Sequence, residues 1–195
     1  MKRKIILASK SYWRKALLEQ IGLKDFEIVE SDYEEDMTAL TNPRELAKFL
    51  ALKKGEAVAE KFDDAIIISG DTFIVFEGKF IGKPKDSEDA KKTLRMFSGK
   101  EVTAVSGYAV IDTKTGKIIN DFNEGNLIFR NLSEDEIDDY VATKEPLSLA
   151  GSFGIMKRAA VLIKSVNGDF YSIVGFPISK VYLALKEMGV NVFKI

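Results

Sequence analysis

The stretch Ala65-Ile66-Ile67-Ile68-Ser69-Gly70-Asp71-Thr72 decides how the rest of the chain is read. Four apolar residues in an unbroken run suit a strand buried on both faces, as strands of a parallel sheet are. The run gives way to small and polar residues, and in open α/β sheets ligands collect beyond the carboxyl ends of such strands. Asp71 in that place suits a metal ligand or a general base, and it equally suits an ordinary turn.

On the N-terminal side, residues 4–8 read as a short strand. Trp13, Ala16, Leu17 and Ile21 then recur at helical spacing over 12–21, closed by Gly22. A second strand is expected over 26–29, followed by an acidic loop and a helix that Asn42-Pro43 opens and that reaches about residue 61. On the C-terminal side come a hairpin around Glu77-Gly78, a helix over 87–97, and two long strands over 101–112 and 117–130 that pair antiparallel. A helix begins at Ser133 with the capping-box spacing Ser133…Glu136 and ends near Thr143. Apolar runs over 159–166 and 170–174 flank Asn167-Gly168, and Pro177 starts a last helix that reaches Met188. This alternation predicts a mixed-sheet α/β protein, one domain over residues 1–195 with two lobes and a cleft.

Composition narrows the chemistry. Of 195 residues, 46% are hydrophobic and 30% charged, which fits a globular chain able to bury its own core. With no Cys and no His, a thiol nucleophile, a Ser-His-Asp triad, imidazole acid/base catalysis and Cys/His zinc sites are all excluded. Catalysis must use carboxylates, Lys, Arg, hydroxyls or an oxygen-ligated metal. Lys+Arg 29 against Asp+Glu 30 gives a net charge of -1, so no nucleic-acid partner is expected. The charge is uneven along the chain, with a basic start (Lys2, Arg3, Lys4, Lys10, Arg14, Lys15) and only acidic charges over 27–36. About five apolar residues precede Ser9, short of a signal segment's ~7. No run approaches the ~18 of a membrane span, so a cytoplasmic protein with no membrane partner is expected.

There is no Walker A loop and no G-x-G-x-x-G. Ser9 and Ser11 sit where a strand turns into a helix, with Arg14 one turn inside. They could offer hydroxyls, free N–H groups and a cation to a phosphate, or Ser11 could simply cap the helix with Arg14 exposed. Lys83 in Gly82-Lys83-Pro84 occupies a stiff, non-helical stretch where a lysine can hold a phosphate as a point charge, or lie on the surface.

In order along the chain, LASKSYWRKALLEQIG, FEIVESDYEED, LALKKGEAVA, SGDTFIV, IGKP, SGKEVTAVSG, IFRNLSEDEIDDYVATKEP, AGSFGI and VNGDFYSIVGFP resemble the successive motifs of the Maf family of nucleoside triphosphate pyrophosphatases. The resemblance implies an elongated, two-lobed α/β fold of the inosine-triphosphatase type with a nucleotide cleft, often a homodimer. It also implies metal-dependent release of pyrophosphate from a nucleoside triphosphate. By position, Ser9, Ser11 and Arg14 match the family's S-x-S-x-x-R phosphate motif, Glu35 the acidic residue after the second strand, and Lys54 the lysine of L-A-x-x-K. Asp71 matches the proton acceptor, Thr72 its neighbour near the substrate, Lys83 the G-K-P lysine, and Glu145 with Pro146 the E-P pair.

Hydrolysis at the α-phosphate calls for positioning and charge neutralisation, which Arg14, Lys54 and Lys83 can supply. Glu35 and Asp71 can hold Mg²⁺ or Mn²⁺ through oxygen, and one of them can orient or deprotonate the attacking water. The departures from the family pattern lie where the base would be read. Tyr12 and Trp13 stand in the usual S-P-R-R opening, and Trp13 could stack on a base as in members similar to 7-methyl-GTP pyrophosphatases. Thr72 instead resembles the dTTP/UTP type. Phe153, Met156 and Lys157 replace Tyr, Gln and Gly in the A-G-A-Y-G-I-Q-G segment, Leu149 replaces a common Lys, and Met156 lacks an amide's two-way hydrogen bonding. The base preference is therefore open between the two types. The alternative function is a nucleotide-binding regulator of septum formation and cell division with weak or no catalysis.

Overall fold

The computed structural model describes residues 3–194; Lys2 of the basic start lies outside them. Among the described residues, seven strands form one mixed sheet in the order β2-β1-β3-β5-β6-β7, with β4 on β3. The strands are β1 (Lys4–Leu7), β2 (Glu27–Ile28), β3 (Ala65–Phe76), β4 (Lys79–Ile81), β5 (Glu101–Asp112), β6 (Ile118–Phe129) and β7 (Ile163–Gly168). The helices are α1 (Tyr12–Gln20), α2 (Pro43–Ala59), α3 (Ser87–Phe97), α4 (Glu134–Ala142), α5 (Phe170–Val174) and α6 (Ile178–Glu187). Among the described residues, no helix is long and apolar enough to cross a membrane.

Contacts divide the chain into two compact units. The first comprises residues up to Thr72, Ser106–Asn123 and residues from Gly175 onward; the second comprises Phe73–Val105 and Glu124–Val174. In the first unit, β1 pairs in parallel with β2 and with β3, where Ile5 faces Ile66 and Leu7 faces Ile68. Ile6, Ala8, Val58, Ala65, Ile67 and Ile111 form a core under α2. Asn42 starts that helix as expected, its side-chain oxygen accepting from the backbone N–H groups of Arg44 (2.9 Å) and Glu45 (3.3 Å) ahead of the pre-set φ of Pro43. Part of the uneven charge is paired between the basic start and the acidic stretch, since Lys4 meets Glu27 at 3.2 Å and Lys10 meets Glu30 at 2.5 Å.

In the second unit, β3 turns back through Glu77-Gly78 into β4, and α3 lays Ala90, Leu94 and Phe97 into the core. Phe97 packs against Phe76 at 5.2 Å and Phe129 at 5.4 Å between ring centroids. The capping box at Ser133 and Glu136 is complete, with both reciprocal bonds made. β7 runs antiparallel to β6 and absorbs Asn167 and Gly168, so 170–174 folds as helix α5 after it.

The strand carrying the deciding stretch does not stop at Ile68, as its polar residues suggest, but continues through Ser69-Gly70-Asp71-Thr72 to Phe76. Those polar residues remain in the strand because each finds a partner. The Ser69 hydroxyl donates to Ala51 O at 2.6 Å and the Thr72 hydroxyl to Gly175 O at 2.9 Å. The parallel pairing with β1 does end at Leu7 and Ile68, followed only by the bond from Ala8 N–H to Ile68 O. Asp71 therefore lies inside its own strand yet beyond the carboxyl end of its parallel neighbour, which keeps the strand-end position that its chemistry requires.

Candidate active site

The site in the first unit is assembled where α2 crosses β3. On α2, Ala47, Leu50, Ala51, Gly55 and Val58 are buried against the sheet, and Lys54 lies on the same stripe. Gly55 lets the helix sit close, because a Cβ there would lie 2.6 Å from Ser69 Oγ. On β3, Ala65, Ile67, Ser69 and Asp71 alternate onto one face, and that face meets α2. Lys54 Nζ consequently reaches Asp71 Oδ1 at 2.5 Å, with side chains 13% and 9% exposed. The same ammonium lies 2.6 Å from Glu35 Oε1, in the loop after β2. Two carboxylates thus face one another across a single cation; the Lys54–Asp71 side is withdrawn from solvent, whereas Glu35 is half exposed.

The second half of the site is built around Arg14. Ser11 is the N-cap of α1, accepting from Arg14 N–H at 3.5 Å, so the capping role left open by the sequence is real. The Arg14 side chain, however, turns inward. Its Nη1 donates to Ser9 Oγ at 3.0 Å, its Nε to Gly175 O at 3.2 Å and its Nη2 to Thr72 Oγ1 at 3.4 Å. All three acceptors are neutral oxygens. Burial pushes the guanidinium below its ordinary value, and the negative charges of Asp71 and Glu35 act against that shift. A guanidinium bonded by hydroxyls and a carbonyl retains its full positive charge for an anion.

Ser106 and Gly175 belong to this cluster and are not among the residues singled out from the sequence. Ser106, on β5, is fully buried with its Oγ 2.7 Å from Thr72 Oγ1. The signal for it was the Ser106-Gly107 pair inside an apolar strand. Glycine within a strand marks a close backbone approach, and a Cβ on Gly107 would lie 2.0 Å from Ala47 O of α2. Trp13 is half-buried on the first turn of α1, edge-on to Tyr12 with ring centroids 5.0 Å apart.

The remaining sequence candidates lie in the second unit. Lys83 is exposed in the connection from β4 to α3. Glu145 accepts from the Tyr140 hydroxyl and from Arg158 N–H, both at 3.1 Å, and so ties together the short 3-10 turns of the segment. Burial and the neighbouring Glu145 carboxylate push the Tyr140 hydroxyl above its ordinary value. Met156 is 48% exposed.

Among the described residues, no group of three or more acidic, His or Cys side chains gathers as a metal cage. Glu35 and Asp71 do supply two hard oxygen donors, both turned toward Lys54 Nζ, which occupies the point between them and would have to withdraw before a cation could take its place. That set fits Mg²⁺, which is commonly held by one or two carboxylates together with substrate phosphates.

The sequence matches the family model described as Maf-like protein over residues 4–188. It is 40% identical over 191 residues to a dTTP/UTP pyrophosphatase of Methanococcoides burtonii, a match covering 98% of each chain. It is 41% identical over 190 residues to a dTTP/UTP pyrophosphatase of Bacillus cereus strain AH820, covering 97% of this chain and 98% of that one. Among solved structures, a HAM1 protein from Coxiella burnetii aligns with a TM-score of 0.46 and 16% identity, covering 95% of this chain and 100% of that chain.

Proposed function

Since the chain belongs to the Maf family, we propose that it is a nucleoside triphosphate pyrophosphatase that cleaves between the α- and β-phosphates, and that dTTP and UTP are among its substrates. The relatives named dTTP/UTP pyrophosphatases support this, and the observation that carries it is the convergence of Glu35 and Asp71 on Lys54. That arrangement suits in-line attack by water on phosphorus, where positioning and charge neutralisation do most of the work. The substrate is a nucleoside triphosphate and the products are the monophosphate, pyrophosphate and a proton.

In this reading Asp71 accepts the proton of the attacking water. Arg14, steadied by Ser9 and Thr72, neutralises phosphate oxygens at the N-terminus of α1, whose free N–H groups add to the anion site. Lys54 takes up charge on the phosphates once substrate draws it from the carboxylates. Lys83 is assigned to the departing pyrophosphate, and Trp13, Glu145 and Met156 to the nucleoside. A divalent cation held by Glu35 and Asp71, Mg²⁺ or Mn²⁺, would supply further neutralisation of the phosphate charge.

The test is a pyrophosphate-release screen over canonical and modified nucleoside triphosphates, with Mg²⁺, Mn²⁺ or Co²⁺ supplied in turn and a chelator control. Reaction in ¹⁸O-labelled water should place the label in the monophosphate. Orthophosphate and nucleoside diphosphate as first products would overturn the proposal.

A further inference from the structure

We infer that Ser69 is a positioning residue for the Lys54–Asp71 pair, acting through the backbone of α2; the inference rests on the pyrophosphatase reading above, in which both partners take part. Ser69 is fully buried on β3, two residues before Asp71 and on the same face of the strand. Its hydroxyl donates to Ala51 O at 2.6 Å. A carbonyl can only accept, so the direction of this bond is fixed and the single proton of the hydroxyl is committed to it. Ala51 lies three residues before Lys54, on the same face of the helix. The bond thus joins the strand that carries the carboxylate to the helix that carries the ammonium, within one helical turn of the residue whose charge meets Asp71.

Gly55 leaves the room for this bond. A Cβ there would lie 2.6 Å from Ser69 Oγ, so the hydroxyl occupies space that any other residue at 55 would claim. Lys54 is therefore bracketed on α2, with Ala51 held by the hydroxyl on one side and Gly55 seated against it on the other. The ammonium stands at the end of a flexible four-carbon stem, so its position depends on the backbone from which the stem starts, and Ser69 supplies the hydrogen bond that registers this backbone against β3. Asn120 makes a comparable tie farther away. Its Nδ2 donates to Lys48 O and to Tyr108 O, both at 3.0 Å, and links α2 to β5 six residues before Lys54. Loss of the Ser69 hydroxyl leaves that anchor intact, and Ala51 O keeps its place in the helical ladder. The helix then stays docked while Lys54 loses its register with Asp71.

The experiment compares wild type with Ser69→Ala and Asn120→Ala. It reads the melting temperature, kcat and KM for the triphosphate that wild type turns over fastest, and the Lys54 ammonium resonance in ¹H–¹⁵N spectra of the ligand-free protein, assigned by its absence from Lys54→Met. Ser69→Ala should lower kcat/KM about tenfold, since catalysis is sensitive to small misplacements of a positioned group, and should shift the Lys54 resonance. Asn120→Ala gives up two hydrogen bonds where Ser69→Ala gives up one, so its melting temperature should fall at least as far. Its kcat/KM should nevertheless stay within about twofold of wild type, because its anchor lies farther from Lys54, and its Lys54 resonance should not move. An unmoved Lys54 resonance in Ser69→Ala, an equal movement in Asn120→Ala, or losses of kcat/KM that simply follow the melting temperature in both variants would overturn the inference. A wild-type protein that releases pyrophosphate from no triphosphate would instead overturn the functional reading, and the Lys54 resonance would still decide whether Ser69 positions that side chain.

Discussion

The ammonium of Lys54 lies 2.5 Å from Asp71 Oδ1, and both side chains are largely withdrawn from solvent. Removing one partner of such a pair leaves the other buried and uncompensated, which costs more than the pair contributes as a whole. Lys54→Met should therefore lower unfolding stability by about 3–5 kcal/mol in a urea titration. Adding Asp71→Asn to that variant should recover part of the loss. A Lys54→Met protein as stable as wild type would mean that Asp71 is hydrated in solution.

Asp71→Asn preserves shape while removing the proton acceptor and one negative oxygen. Turnover should nearly vanish under saturating metal, with nucleotide binding still measurable by calorimetry. Wild-type kcat in a correctly folded Asn variant would take Asp71 out of the mechanism.

Lys83 is exposed and, in the proposed reading, meets charge that only the triphosphate carries. Lys83→Ala should weaken triphosphate binding while leaving monophosphate binding nearly unchanged. Equal weakening of the two ligands would place this lysine at the α-phosphate or the sugar.

Trp13 is half-buried and lies outside the buried core. Trp13→Ala should cost less stability than the ~3–5 kcal/mol of a core aromatic, while weakening nucleotide binding by about 1–3 kcal/mol if the ring stacks on the base. Trp13→Phe should keep much of that binding. Comparing kcat/KM for dTTP, UTP, GTP and 7-methyl-GTP on both variants reads out selectivity, and an unchanged substrate ranking in the Ala variant would leave Thr72 and Met156 as the remaining candidates.

Asp112, 7% exposed, receives two guanidinium bonds from Arg3 at 2.9 Å and 2.5 Å and two backbone N–H bonds at 3.0 Å and 3.1 Å from Lys114 and Thr115. The Arg3 bonds hold its carboxyl well below the usual range. A carboxylate depressed in the folded state stabilises it above the unfolded pKa of about 4, and this contribution is lost as pH falls toward the lower folded value. Asp112→Asn should be less stable than wild type at pH ~7, and the gap should narrow below pH ~4. Urea titrations at both pH values check this; a gap independent of pH would show that lost packing, not charge, accounts for the difference.

Helix starts and the buried strand were legible in the sequence because their signals are local. Asn42-Pro43 and Ser133…Glu136 are capping patterns complete within a few residues, and both are realised. The continuation of β3 through Ser69-Gly70-Asp71-Thr72 was not legible, since polar residues end a buried strand unless partners distant in sequence satisfy them. Those partners, Ala51, Lys54 and Gly175, become neighbours only through the fold. Lys54 carried a readable clue. It continues the buried stripe of Ala47, Leu50, Ala51 and Val58, and a lysine placed there requires a buried counter-charge. The inward turn of Arg14 had no such clue, because the acceptors at Thr72 and Gly175 lie 58 and 161 residues away.

The close seating of α2 on the sheet has a consequence for anyone who would redesign the site. A Cβ at Gly55 would fall 2.6 Å from Ser69 Oγ and one at Gly107 would fall 2.0 Å from Ala47 O, so enlarging either residue must shift the helix against the sheet. A library that randomises position 54 and spares 55 and 107 samples the length of the arm that carries the cation. A library that opens 55 or 107 moves the shoulder to which that arm is attached, and every variant in it inherits a displaced charge, whatever residue stands at 54.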